Sequence, residues 1–546
     1  MTRPTTRSTS LLLAAALAAA SALLAPPPAA AAGETELVAA FNELDLEMDP
    51  HHSIYSAEAQ VFTAVYEGLF SYNPDSLDPV KAACRSYSKS QDGRTYTFYI
   101  RDEASWSDGS PLLARDFRDA WLRAISPAEK ADYAAFFDVI DGAKAYRLGK
   151  ETDPAKVGIS IIADRILQVR LASRADYFTR LLCHHSFSPL HPSVLRMKGW
   201  RDAFPFPANG PYRPVSYKAG ELLLEKNERY WDAADVEIPR LRLLFTDDDA
   251  DVTRRFDNGE IHWLAGPMDL DSLLDRSIQV NPMFSTHYWF FAAGKEPWRN
   301  ADLRRALALM LPWKELRSRE QYLIPAPTLV LPFDGYESAK GIDKTDADEA
   351  AALLARSGHP AGAGLPPIVV LAPDNEDSKR VAGLMKASWE KLEGVKVEVS
   401  LVAPGRYFDM VRAGSAASGY DLALTTWIGD FADPLAFLQM WTSDSNLNDS
   451  GLADPEYDRL LAEASAKEGP ARLDALGEAE TKLLSGAAVL PVYHSIAVNV
   501  VDTSYVTGWY ANALDIHPFK YLAFGERKVR SNLANAGAAD LVAALR

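Results

Sequence analysis

The segment Tyr420–Pro434, reading YDLALTTWIGDFADP, sets a carboxylate where it could do chemistry. An apolar, strand-like run ends at Trp427 and Ile428, and Gly429 and Asp430 follow at once. A carboxylate delivered to the C-terminal edge of a strand, between Trp427 and Phe431, suits the capture of a cation beside an apolar wall. The same residues also suit a buried strand followed by a turn, with Asp430 as a turn or cap residue. Paired carboxylates such as Asp430 and Asp433 can in principle hydrolyse a glycoside, although Asp433-Pro434 reads better as the turn that ends the strand. Cys183-His184-His185 with His191, joined by His51-His52, brings together metal-ligating residue types. Zinc sites favour spacings such as CxxC or HExxH, which are absent, and adjacent histidines point apart in a strand. No metal and no cofactor is expected. Nucleophile elbows, phosphate loops and dinucleotide loops are also absent. The Asp247–Asp251 run lacks calcium-loop spacing and reads as a solvated face. His494, after Tyr493, suits the wall of a cleft or hinge better than a catalytic base.

The elements that must position these residues alternate between crossovers and hairpins. Glu36–Phe41 reads as a first strand, and Glu58–Leu69 as a helix with Val61, Phe62, Val65, Tyr66 and Leu69 on one face. Tyr96–Arg101 alternates as a half-buried strand, Asp116–Ala124 is helical, and Ile159–Leu171 forms paired strands around Ala163-Asp164. A hairpin spans Tyr212–Lys226, Leu241–Phe245 and Phe284–Ala292 are strands, and Leu303–Leu311 is a helix. A β-α-β unit follows: strand Ile368–Leu371, helix Asp377–Leu392 and strand Val395–Val402. Then come the strand Tyr420–Trp427 and a long helix at Ala471–Leu484. This pattern predicts an α/β protein with more than one sheet, in which ligands sit between lobes or at the carboxyl ends of strands.

The N-terminus reads as a processing signal. Arg3 and Arg7 precede the short apolar core Leu11–Ala25, and Ala30-Ala31-Ala32 offers a cleavage site. The core is too short to span a bilayer, and no cysteine near the expected cut would take a lipid. The mature chain should be exported, and in a cell with two membranes it should reside in the periplasm. The full chain of 546 residues, even without this leader, exceeds one ordinary core, so two or three lobes are expected. The formal net charge of −17 argues against nucleic acid or anionic lipid as a partner. Two cysteines, Cys84 and Cys183, make no disulfide framework, and sequence leaves their pairing open.

Several stretches together resemble the family 5 extracellular solute-binding proteins, the cluster that contains the periplasmic oligopeptide-binding proteins. They are LDLEMDPHHS (44–53), AVYEGLFSYNP (64–74), DGRTYTFYIRDEASWSDGSPLLARDF (92–117), NGPYRP (209–214), EKNERYWDAADVEIPRL (225–241), FDNGEIHWL (256–264), DLRRALAL (302–309), YDLALTTWIGDFADP (420–434), LADPEYDRLL (452–461) and LPVYH (490–494). Each is weak alone, and the ordered set is specific.

The resemblance implies a type II periplasmic binding protein fold with two lobes and an inserted extra domain. After a signal peptide at 1–32, domain I would comprise 33–72, 187–280 and 505–546. Domain II would be 73–186, and domain III, the opposite lobe, 281–504. It also implies a non-enzymatic, monomeric receptor that closes about hinge strands over a short peptide and docks on an ABC permease in the inner membrane. In the oligopeptide branch an Asp after Trp-x-x pairs with the peptide ammonium, which here is Asp430. Trp427, Ile428 and Gly429 would supply backbone groups, Ile54, Tyr55 and Ser56 align with a strand on the peptide's other side, and Tyr493 and His494 would line the cleft. Departures bear on the ligand: an Arg six residues before the Asp is Leu424 here, a pocket Trp aligns near Pro404, and a disulfide of some relatives falls on Ser285 and Ile428. Alternatives that stay open are an oligosaccharide or metal chelate on the same fold, or a secreted carboxylate-dependent hydrolase. The tail after Phe524, with Leu533, Leu541, Val542 and Leu545, reads as an added amphipathic helix.

Overall fold

The computed structural model describes residues 35–526, apart from positions 54, 267, 270, 271, 273–277, 319–322, 334, 338 and 430. The leader, the C-terminal tail, Ile54 and Asp430 therefore lie outside the described residues. One large mixed sheet organises the chain. Its strand order is Val397–Val402, Ile368–Pro373, Leu422–Ile428, Ile278–Phe291, Val489–Val501, Trp263–Leu264, Glu36–Phe41, Arg240–Phe245, Glu221–Lys226 and Tyr212–Lys218, and Ile324–Pro325 pairs aside with Val489–Val501. Glu36–Phe41 lies between two parallel neighbours, so its Leu37–Phe41 run is buried on both faces. The β-α-β unit is present, with Ile368–Pro373 parallel to Val397–Val402 and the helix Glu376–Trp389 between them.

A second, four-stranded antiparallel sheet runs Cys84–Lys89, Thr95–Ile100, Ile166–Arg170 and Ile159–Ala163. Thr95–Ile100 buries alternate residues, as its period-two pattern requires. Tyr96, Phe98 and Phe178 pack together beneath this sheet. Both cysteines are free thiols. Ser285 and Ile428 are register partners across two adjacent strands, so the disulfide position of the relatives is reproduced in backbone but not in residue type.

Two elements depart from the sequence expectations. Val489–Val501 is one long strand, nearly all buried, and Phe284–Ala292 extends back to Ile278. The two pair antiparallel from Ile278↔Val500 to Phe290↔Val489, with irregularities between Pro282 and Thr286 and between His287 and Tyr288. A further helix, Pro404–Arg412, follows the β-α-β unit. The Asp247–Asp251 run also has a structural task. Asp248 caps the helix Asp249–Asp257 by accepting from the Asp251 amide, and Asp247 accepts from the amide of Glu43.

A buried carboxylate pins the segment that crosses the long strands. Glu480 is fully buried on the helix Gly469–Ser485. It accepts from the amides of Leu329 at 2.6 Å and Val330 at 3.0 Å, and from the Tyr336 hydroxyl at 2.5 Å. Burial pushes its carboxyl up to about 7, against the pull of these three donors. Replacing Glu480 by Ala leaves all three donors without a partner, and should lower unfolding free energy by about 3 kcal/mol. Tyr336→Phe should cost only about 1 kcal/mol. Urea denaturation of both variants checks the difference, and equal effects would show that the carboxylate does not anchor this segment.

Candidate functional site: an interlobe cavity

A cavity of about 590 Å³ lies between two groups of chain segments. One side carries Tyr55, Ser56, Asp132, Tyr133, His184 and His185, and the other Phe408, Arg412, Thr425–Gly429, Asn446 and Asp449. The volume falls in the range of small-ligand pockets. Contacts across it hold the two sides together. Asn446 Nδ2 donates to the Asp132 carbonyl at 2.7 Å, Lys144 pairs with Asp444 at 2.7 Å, and Arg174 with Glu468 at 2.5 Å. Phe431 packs edge-on to Phe136 and stacks on Tyr177.

The strand Leu422–Ile428 forms one wall, and its pairing is asymmetric. On one side it is paired continuously, Phe291↔Leu422 through Ser285↔Ile428. On the other it meets Ile368–Pro373 only at Val370↔Leu422 and Leu371↔Ala423. From Leu424 to Ile428 this second edge has no strand partner among the described residues, and Thr425, Thr426, Trp427 and Ile428 line the cavity. The Tyr407 hydroxyl donates to the Leu424 carbonyl. Trp427 is held by its indole N–H on the Ala436 carbonyl at 3.0 Å, and its ring lies 6.3 Å from Tyr133. At Gly429 a Cβ would run into the rings of Phe284 and Phe437, so a side chain where the strand leaves the sheet would force these rings to move.

Residues 78–449 match the model of the bacterial extracellular solute-binding proteins, family 5 (middle). The chain belongs to that family. Its fold is the type II periplasmic binding fold with multiple domains, and it is a binding protein, not an enzyme. It is 28% identical over 485 residues to the oligopeptide-binding protein OppA of Bacillus subtilis, covering 84% of this chain and 88% of that one. Haemophilus influenzae OppA in complex with RPPGFSPFR superposes with a TM-score of 0.78 at 24% identity, over 90% of this chain and 99% of that one. The Escherichia coli murein tripeptide binding protein MppA gives 0.77, again at 24% identity and with the same coverage.

The cavity brings together Tyr55, Ser56, Trp427, Ile428 and Gly429 of the residues singled out from sequence. Two of these differ in conformation from the expectation. Tyr55 is extended but is the N-cap of the helix Ser56–Val65, and Ser56 is its first residue, so among the described residues here no strand runs along this side. Tyr493 and His494 do not line the cavity. They lie on the central strand Val489–Val501, where Tyr493 donates to the Leu316 carbonyl at 2.6 Å and His494 Nδ1 sits 2.9 Å from the Thr286 hydroxyl. Burial pushes the His494 imidazole down to about 4.

The hydrolase alternative loses its second carboxylate, because Asp433 is buried in a bidentate pair with Arg472 at 2.7 and 2.8 Å. Arg472 in turn lies over the Tyr177 ring. His184 and His185 lie tilted against each other and meet Tyr133 edge-on, and burial pushes His184 down to about 3 and His185 well below its usual value. Asp49, His52 and Glu129 offer ligand atoms within 4.8 Å of one another. Arg123 donates to both of these carboxylates, so a guanidinium already satisfies them.

Sequence reasoning missed charged residues of the cavity, among them Glu58, Asp132, Asp409, Arg412 and Asp449. Their positions in separate loops and helix ends give no spacing signal. Asp449 is open to solvent yet closely surrounded by protein, and its carboxyl is pushed up to about 6, with Arg412 opposing the rise. Burial also raises Asp132, again against Arg412.

Glu58 is almost fully buried, accepts from Ser53 Oγ at 2.5 Å and the Glu47 amide at 2.8 Å, and is pushed up to about 7 by burial. Because the folded-state value exceeds that of the unfolded chain, the folded state binds the proton more tightly. Stability contributed by Glu58 is therefore full below about pH 4.5 and is lost as pH rises through about 7. Glu58→Gln keeps an acceptor for the amide and a donor for Ser53. It should gain about 2 kcal/mol on the wild type between pH 4.5 and 7.5, read by urea denaturation at both pH values. A difference that does not change with pH would mean that Glu58 is ionised throughout.

Proposed function

We propose that this chain is the exported substrate receptor of an ABC importer, and that it holds a short peptide in extended form in the interlobe cavity. The observation that carries this reading is the unpaired edge from Leu424 to Ile428. An extended peptide can add to such an edge as one more strand, taking affinity from main-chain hydrogen bonds while its side chains point into the remaining space. Tolerance of side-chain identity follows, because the wall that grips the ligand is backbone. Relatives named as oligopeptide-binding and dipeptide-binding proteins support the same class of ligand.

In this reading the leader at 1–32 exports the protein to the periplasm, where it acts as a monomer and delivers peptide to a membrane permease. No helix among the described residues is long and apolar enough to cross a membrane. The lobes follow the strand order: 33–72, 187–280 and 505–546 form one, 281–504 the other, and 73–186 is inserted in the first. Asp430, immediately beyond Gly429, receives the peptide ammonium. An ammonium withdrawn from water needs an ionised partner, and stranding one member of such a pair costs about 3–5 kcal/mol.

Native mass spectrometry of the purified protein should find short peptides retained from expression. Titration calorimetry should then show that Asp430→Asn weakens free-amine peptides by about tenfold or more. N-acetylated versions of the same peptides should bind both proteins with similar affinity. Wild-type protein that binds acetylated peptides as tightly as free ones would remove Asp430 from the site.

A further inference from the structure

We infer that the peptide carries a cationic side chain, held between Asp132 on one side of the cavity and Asp409 and Asp449 on the other. This rests on the reading of the cavity as a peptide site and names the class of peptide. The argument starts from which cavity carboxylates already have partners. Glu47 pairs with Arg201 at 3.0 Å, and Glu67 accepts from Tyr230 and from Trp231. Glu58 accepts from Ser53 and the Glu47 amide. Asp45, Asp132, Asp409 and Asp449 differ, since none has a side-chain hydrogen bond or ion pair with another described residue, and the last three share their surroundings with Arg412. Arg412 lines the same wall and is likewise without an ion pair among the described residues. Tyr55, Asp132, Asp409, Arg412 and Asp449 line the same cavity, and the Tyr55 phenol feels Arg412, Glu58, Asp409 and Asp132 together. Three carboxylates against one guanidinium leave a net negative charge there.

Such a wall has an electrostatic cost that depends on how the cavity closes. Asp132 belongs to the segment after the helix Ala114–Ala124, whereas Asp409 and Asp449 come from the opposite wall. The Asn446–Asp132 hydrogen bond brings the loop that carries Asp449 against the segment that carries Asp132. Closing the two sides therefore concentrates like charges in a space with little water, where their repulsion grows. A lysine or arginine side chain between them converts that repulsion into attraction on both sides, and so favours the closed arrangement. Rings of the cavity lining, among them Tyr55, Tyr133, Phe408 and Trp427, suit the same guest. They cover the aliphatic stem of a long basic side chain and offer ring faces to its charge. A glutamate side chain would meet the same wall with the wrong sign.

The test is titration calorimetry with free-termini tripeptides of alanine in which each position in turn is lysine, norleucine or glutamate. At one position lysine should bind about tenfold or more tighter than norleucine, and glutamate weaker than either. Asp132→Asn, and separately Asp449→Asn, should bring the lysine-to-norleucine ratio towards one, with thermal melting used to confirm that each variant is folded. Raising ionic strength should shrink the same ratio in the wild type. Tripeptides that bind with no preference for lysine over norleucine at any position would overturn the inference and leave the peptide reading standing. Binding of none of the tripeptides would overturn the peptide reading and the inference with it.

Discussion

The antiparallel pairing of Ile278–Phe291 with Val489–Val501 is the constraint on which the rest of the molecule depends. The two halves of the large sheet meet through this pair and through no other strands of that sheet. Trp263–Leu264 attaches at the Val500–Val501 end, and Leu422–Ile428 attaches along Ser285–Phe291. Each half therefore inherits its orientation from one shared ladder. Where that ladder is interrupted, between Pro282 and Thr286, side chains take over from main-chain pairing. The Thr286 hydroxyl donates to the Leu329 carbonyl at 2.6 Å and meets His494, while Ser285 and Ser495 lie 3.1 Å apart. An interrupted ladder is bent and more strongly twisted than a regular one.

The cavity exists because the elements around it are fixed by contacts that do not use it. Asp433 and Arg472 are committed to each other, and Arg472 reaches Tyr177 across the mouth. Arg123 holds Asp49 and Glu129, and Arg201 holds Glu47 and Asp49, so the buried charges behind Tyr55 are neutralised by guanidinium groups. Buried charges of this kind are tolerated only when paired and hydrogen-bonded. Their commitment to guanidinium groups separates these buried acids from Asp132, Asp409 and Asp449, which line the cavity without such partners among the described residues.

Much of the fold was legible in the sequence because its elements carry strong periodic patterns. The hairpin Tyr212–Lys226, the β-α-β unit and the alternating Thr95–Ile100 strand all appear close to where apolar spacing puts them. Val489–Val501 was not legible as one strand, because Pro491 interrupts a run that would otherwise read as continuous. Tertiary burial on both sides overrides that signal. The helix Pro404–Arg412 was missed because Pro404-Gly405 reads as a turn and the polar residues Arg406, Asp409 and Arg412 interrupt its apolar pattern. That omission matters most for the site, since this helix brings Phe408, Asp409 and Arg412 to the cavity. The Trp427–Gly429 wall was legible because strand and site coincide in one short segment. The facing wall was not, because Tyr55, Asp132 and His185 come from three loops or helix ends that only the folded chain brings together.

An unpaired strand edge is ordinarily a liability, because any other edge can add to it. Here the exposed stretch from Leu424 to Ile428 is recessed in a cavity whose mouth is narrowed by Asn446, Asp132 and Tyr133. The edge of another folded sheet is too thick to enter, whereas a free peptide is not. The Tyr407 hydroxyl satisfies the Leu424 carbonyl at the point where pairing with the neighbouring strand stops. In the proposed reading the partner is a chain without a fold of its own, gripped without reading any side chain. Selection by charge is then added by the walls, which touch side chains and leave the main chain to the strand. Separating the two tasks lets a single backbone grip serve many sequences, while the carboxylates opposite it decide which of them close the cavity.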